Sequence, residues 1–241
     1  MRKFFVMMFS ISAILTFLAS CSSDVINPAP IVNERVELPA INAISTESMV
    51  NVIIKEGSEQ SVTVIGTDDL ISKVDLDVVD GLLKVDYDQD GGTVNVTRLE
   101  VEVVLPAISK LTTNSSGNID VQGFGQLDQL LVEVKGAGNV HINGPVNVAN
   151  ALNVLVDGSG SVKLEGTTSL LDVAVEGPGS IRAFDLDAKD VVVTVTASGT
   201  SEVKAESTLD VRISGSGHVH YKGAPSITKE ISGSGQLINA N

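Results

Sequence analysis

Three groups of residues in this 241-residue chain have the types and spacing to do chemistry. Asp86-x-Asp88-x-Asp90-Gly91 imitates the opening of a calcium loop, where alternate carboxylates converge on a hard cation. The twelfth position of such a loop should be a bidentate Glu, and Thr97 stands there. A solvated acidic turn is the simpler reading. His218 and His220 form an H-x-H pair that one face of a strand would present together. Two imidazoles without further ligands hold a metal weakly, so solvated surface histidines are expected and no metal is assigned. The third group is dispersed. Asp120, His141, Lys163, Arg182, Glu202 and His220 follow one another at intervals of 18 to 22 residues. If they align, Lys163 and Arg182 become neighbours about 4.8 Å apart beside Glu202. His141, Lys163, Arg182, Glu202 and His220 are therefore a candidate ligand face. Bases and carboxylates clustered in this way are what a polysaccharide-active enzyme would need. A salt-bridged, solvated ladder is the plainer reading.

Other chemistry is not supported. There is no G-x-S-x-G and no H-E-x-x-H, and the one cysteine is Cys21. GxG pairs recur between strands with no following helix, so they are not phosphate loops. No catalytic residue and no cofactor is predicted. A formal charge of −14 argues against nucleic acid, whose phosphates require clustered Lys and Arg.

Residues so far apart in sequence align only if the chain repeats, and it does. Anchored on the turn glycines Gly117, Gly138, Gly160, Gly179, Gly199, Gly217 and Gly235, the spacings are 21, 22, 19, 20, 18 and 18. A period near twenty marks a repeat architecture. Eight before the glycine stand Ser109, Leu130, Leu152, Leu171, Val191, Leu209 and Ile227. Six before stand Leu111, Val132, Val154, Val173, Val193, Val211 and Lys229. The columns four before, two after and four after are equally apolar. Of these 35 positions 30 are apolar, in a chain that is 43% apolar overall. The exceptions are Ser109, Thr113, Ser201, Lys229 and Asn239, four of them in the first or last repeat, where a stack meets water or a cap.

Strict alternation means strands with one buried face. A meander of hairpins would alternate too, but it needs no common period. A solenoid does, because each coil must return one strand spacing above the last. The expected fold is all-β: a single-stranded, right-handed parallel β-helix of about seven regular coils over 108–241. It is preceded by an irregular β region, 39–107, that begins the solenoid and covers its first edge. Handedness follows the right-handed crossover preference. The turn glycines are expected to supply backbone angles that a Cβ forbids. The column two before them (Ser115, Gly136, Gly158, Gly177, Ala197, Gly215 and Gly233) is small, as stacked corners in contact require. Pro178 suggests that the middle turn residue needs no ladder hydrogen bond.

The first twenty residues read as a targeting segment. Arg2 and Lys3 precede a largely apolar run from Phe4 to Leu18, which ends in Leu18-Ala19-Ser20-Cys21. This resembles a bacterial lipoprotein signal, 1–20, with Cys21 as the lipidated first residue of the mature chain. Residues 21–38, with Pro28 and Pro30, read as an extended tether. Ser22 follows the cysteine, in place of the Asp that resembles an inner-membrane retention signal, so an outer-membrane location is expected.

The lipoprotein start, the irregular β region ending near Val103-Val104-Leu105-Pro106, and the repeated GSG-type turns with flanking V-x-V together resemble the putative auto-transporter adhesin head GIN domain family. The resemblance covers roughly Leu38 to Asn241. It implies a right-handed β-solenoid on an envelope lipoprotein and supplies no catalytic residues. The resulting expectation is a non-enzymatic protein held to the membrane through Cys21, whose flat β faces bind a surface glycan or protein. A polysaccharide-active enzyme on the same scaffold, or a structural envelope protein, are the alternatives.

Overall fold

The structure, a computed structural model, describes residues 29–88 and 98–241. Cys21, the signal segment, residues 22–28 of the tether, and Asp90, Gly91 and Thr97 of the calcium-like loop lie outside the described residues.

The chain folds as an all-β solenoid of about six turns, close to the seven coils expected. Each coil carries one strand before the glycine turn and one after it. In chain order these are β8 (Lys110–Thr113) and β9 (Ile119–Gln122), then β10 (Phe124–Val134) and β11 (Asn139–Ile142), then β12 (Val146–Val156). The long strands β13 (Ser161–Val175), β14 (Ser180–Val195) and β15 (Thr200–Ile213) each leave one coil and enter the next. β16 (His218–Lys222), β17 (Ser226–Ile231) and β18 (Gln236–Asn239) complete the series. Every pairing among them is parallel. The inward column Leu111, Val132, Val154, Val173, Val193 and Val211 stacks in register, and Lys229 stands on top. The aliphatic members of that column are buried.

The amino-terminal region contributes two further coils, threaded out of order. β2 (Ala43–Thr46) and β3 (Asn51–Glu56) stack directly beneath β8 and β9, so that Ile44 lies under Leu111 and Val52 under Ile119. On their other side lie β6 (Leu82–Tyr87) and β7 (Leu99–Leu105). The chain thus lays one coil, passes beneath it to lay the bottom coil, and then skips over both. The first regular repeat is therefore not an end of the stack. Its two polar exceptions have local reasons: Ser109 is exposed and Ile108 is buried beside it, while Thr113 is buried and donates its hydroxyl to the Gly117 carbonyl at 3.0 Å.

The bottom edge is covered by strands running the other way. β5 (Val74–Val79) pairs antiparallel with β6, and β4 (Ser61–Gly66) with β7. β1 (Val32–Val36) then pairs antiparallel with β4. The short helix α1 (Asp68–Ile71) adds buried Leu70 and Ile71. A reversed strand breaks the parallel stack and blunts an edge that would otherwise recruit other chains. The top has no such cover among the described residues. Ile227 and Ile231 point inward by column but are 39% and 38% exposed, because no further coil covers them.

The turn glycines correct the reason expected for them. Of both turn columns, only Gly233 has a left-handed φ, 119°. What excludes a side chain is the coil below. A Cβ on Gly199 would lie 2.6 Å from the Gly179 carbonyl oxygen, and one on Gly138 would strike that of Gly117. The coil of Pro178 does without a ladder donor at the middle turn position, but the position is not donor-free elsewhere. In other coils the middle residue does donate: Ala137 to Ser115, Ser159 to Gly136 and Ser216 to Ala197. Pro178 has no N–H to give, and Gly179 donates to the Gly158 carbonyl at 2.9 Å just as Gly138, Gly160 and Gly217 donate to the coil below them.

Candidate functional site

Each coil has an outward column beside the inward one, and the strand after the glycine turn carries the candidate face. His141 pairs with Lys163, Lys163 with Arg182, Arg182 with Glu202, and Glu202 with His220. Asp120 sits below His141, and Ile238 above His220. The sequence column is thus one continuous row on the solenoid surface. It is not the salt-bridged ladder expected. His141 Nδ1 lies 3.4 Å from Asp120 Oδ1. Lys163, Arg182 and Glu202 form no ion pair with any described residue, so their charges stay open to solvent. His218 and His220 are half-buried on the same side of their strand, as H-x-H implies, and His218 Nδ1 is buried without a partner. Among the described residues no three His, Cys, Asp or Glu side chains converge in a metal-binding geometry.

Two features escaped the column count. One is an asparagine ladder just after the turn. Asn118 donates its backbone N–H and its side-chain amide to Asn51 Oδ1, both at 3.1 Å. Asn139 does the same to Asn118 Oδ1, at 3.1 and 2.9 Å. Ser161 continues the row onto Asn139 Oδ1 through its N–H and its hydroxyl. The signal was the Asn one residue after Gly117 and Gly138, but its lowest member, Asn51, follows a turn without glycine.

The other is an open groove of about 460 Å³ on a third side of the coil, between the second bend and the return strand. Its walls carry Gln126, Asn147, Thr167, Asp187, Lys189 and Glu206. Asn147, Thr167 and Asp187 are in register on successive coils. A second hollow of about 430 Å³ continues from Gln126 towards Asn42 and Ser109. Small outward residues, Ala149 and Ser169, make the surface concave here. Lys204 donates to Asp187 Oδ1 at 2.6 Å, which holds the ammonium above its ordinary value. The candidate ligand row faces another side and lines no part of this groove.

A family model described as putative auto-transporter adhesin, head GIN domain, matches residues 40–225. The chain belongs to that family. Solved structures share the solenoid fold. A putative adhesin from Bacteroides fragilis superposes with a TM-score of 0.80 at 24% identity, over 87% of this chain and 97% of that one. A putative lipid binding protein from Parabacteroides distasonis gives 0.69 at 23% identity, over 89% and 98%. A putative adhesin from Parabacteroides merdae gives 0.67 at 19%, over the same shares. At these identities the likeness speaks to fold. No curated protein matches the chain significantly. Among the described residues of this head GIN domain, no helix is long and apolar enough to cross a membrane.

Proposed function

We propose that this head GIN domain is a non-enzymatic, lipid-anchored adhesin of the cell envelope. Cys21 carries the lipid at the outer membrane, and the segment from Cys21 to Ile31, ahead of the paired strand β1, tethers a rigid stack that presents its outer faces to another surface, glycan or protein. Acyl chains contribute about 0.8 kcal/mol per buried CH₂, and two or more hold a protein firmly on a bilayer. The observation that carries the reading is family membership across residues 40–225, joined to an outward row of unpaired charge on Lys163, Arg182 and Glu202. Rows of open polar groups on a paired scaffold suit repeated weak contacts, which sum by multivalency.

An enzyme on the same scaffold is the weaker reading. Glycoside hydrolysis draws on two carboxyl groups about 5–10 Å apart. The row sets Glu202 between Arg182 and His220, with Lys163 one coil further on and no second carboxylate next to it in the row.

Two measurements test the proposal. Metabolic labelling with palmitate should mark the wild-type chain and not Cys21→Ala. Purified protein should be retained on envelope or host surfaces, with less retention for a Lys163→Ala, Arg182→Ala, Glu202→Ala triple variant. Polysaccharide cleavage that is lost on Lys163→Ala would establish the enzyme instead.

A further inference from the structure

We infer that the groove on the third side is a binding site for an extended, neutral glycan strand lying along the solenoid axis. This rests on the adhesin reading and names a ligand class and a site for it.

The groove runs across the strands. It meets one polar side chain per coil, Gln126, Asn147, Thr167 and then Asp187, at the strand spacing of about 4.8 Å. An extended β-1,4-linked pyranose chain rises per sugar by a length close to that spacing, with alternate rings turned over, so each coil meets one sugar and every second coil meets the same ring face. The polar groups are pre-oriented. Asn147 donates its amide to the Gly125 carbonyl at 2.8 Å, and accepts from the Thr167 hydroxyl at 3.0 Å. Ser169 donates to the Ala149 carbonyl at 2.6 Å. Fixed amides and hydroxyls lose little freedom when a sugar hydroxyl arrives. The Gln126 amide and the Lys189 ammonium have no partner among the described residues, so they are free to donate.

Charge and chemistry select the class. Asp187 is paired with Lys204, and Lys189 and Glu206 carry opposite charges on the lining, so the charges of these four side chains cancel. An anionic polymer would gain nothing there and would be repelled by a chain of formal charge −14. A peptide strand needs an unpaired edge, and the floor strands β12, β13 and β14 are already paired with one another. An apolar ligand needs an apolar lining, and these walls are polar.

The test titrates the full mature chain with linear β-1,4-linked glucose and N-acetylglucosamine oligomers from dimer to hexamer. Calorimetry reads affinity and amide NMR reads location. Affinity should rise with length until the groove is filled, with shifts centred on Gln126, Asn147, Thr167 and Asp187. Asn147→Ala with Thr167→Ala should weaken binding about tenfold. Gln126→Ala, exposed and without a partner, should weaken it several-fold with an unchanged melting temperature. Glu176→Ala, exposed at a glycine turn and outside the groove lining, should leave it unchanged. Absence of binding by every neutral oligomer, tighter binding of oligogalacturonate, or shifts confined to the Lys163 row would each overturn the site. Adherence measured on the same preparation separates the two proposals. Protein that adheres but binds no neutral oligomer overturns the glycan site alone, and protein that does neither overturns both.

Discussion

The carbonyl oxygen of Gly138 occupies the place that a Cβ on Gly160, one coil above, would need. That relationship, repeated along the column, explains why the turns keep glycine while their outward neighbours vary. Gly160→Ala should force two backbones apart and destabilise by about 2–3 kcal/mol. Gly123 is a contrasting case. A Cβ there meets nothing within 4 Å, but φ is 74°. Gly123→Ala should cost about 1–2 kcal/mol, and Gly123→Asn less. Chemical denaturation of the three variants gives the order: Gly160→Ala worst, Gly123→Asn mildest.

Asn118 joins its coil to the one below through Asn51, 67 residues away in sequence, and to the one above through Asn139, 21 residues away. Asn118→Ala leaves the Asn139 N–H and its side-chain amide without that acceptor. The loss should be about 1–3 kcal/mol. Exposed Asn143→Ala, two outward positions beyond Asn139 on the coil above, should cost under about 0.5 kcal/mol. Thermal melts of the pair would show whether the ladder stabilises the stack or only decorates it.

Much of this was legible beforehand. The inward columns from Leu111 to Val211 follow from alternation and period alone, and so does the row from Asp120 to His220. Two things were not legible. The out-of-order threading of β2 and β3 leaves no period to count, since Ile44 meets Leu111 from 67 residues away across intervening hairpins. The groove lies where register slips, between Val148 and Ala151 and again between Ala183 and Ala188. Counting outward from the turn glycine loses alignment at those bends, so Asn147, Thr167 and Asp187 did not appear as a column. The glycine spacing, 18 to 22, varies because of these same segments.

Lys229 stands where the inward column would place an aliphatic residue, at the open top above Val211. An inward charge at an exposed edge discourages another sheet from stacking there. Lys229→Val should raise the melting temperature and promote self-association with rising concentration. Sedimentation velocity on variant and wild type would read this directly, and equal behaviour would remove the gatekeeping role.

Glu133 accepts from Lys110 at 2.7 Å and from the Thr112 hydroxyl at 3.3 Å, with Lys135 at 3.5 Å. Burial pushes its carboxyl up. The Lys110 hydrogen bond, the charges of Lys110 and Lys135, and the Thr112 hydroxyl outweigh that and hold it below its ordinary 4.5. A depressed folded value means stability that is present above the unfolded value and lost as pH falls through the folded one. Between neutrality and about pH 5 Glu133 should therefore contribute steadily, and below that the contribution should fade. In urea melts from pH 7 to 3, Glu133→Gln should be less stable than wild type at pH 7. The gap should narrow on acidification.

The stacking of residues some twenty apart can be tested covalently. With Cys21 replaced by Ser, cysteines at Lys163 and Arg182 should sit one strand spacing apart, about 4.8 Å, within disulfide reach. Cysteines at Lys163 and His220 should be three coils apart and out of reach. Mild oxidation should close the 163–182 pair rapidly and leave 163–220 reduced. A 163–220 bond formed within the monomer, or a 163–182 pair that stays open, would contradict the coil.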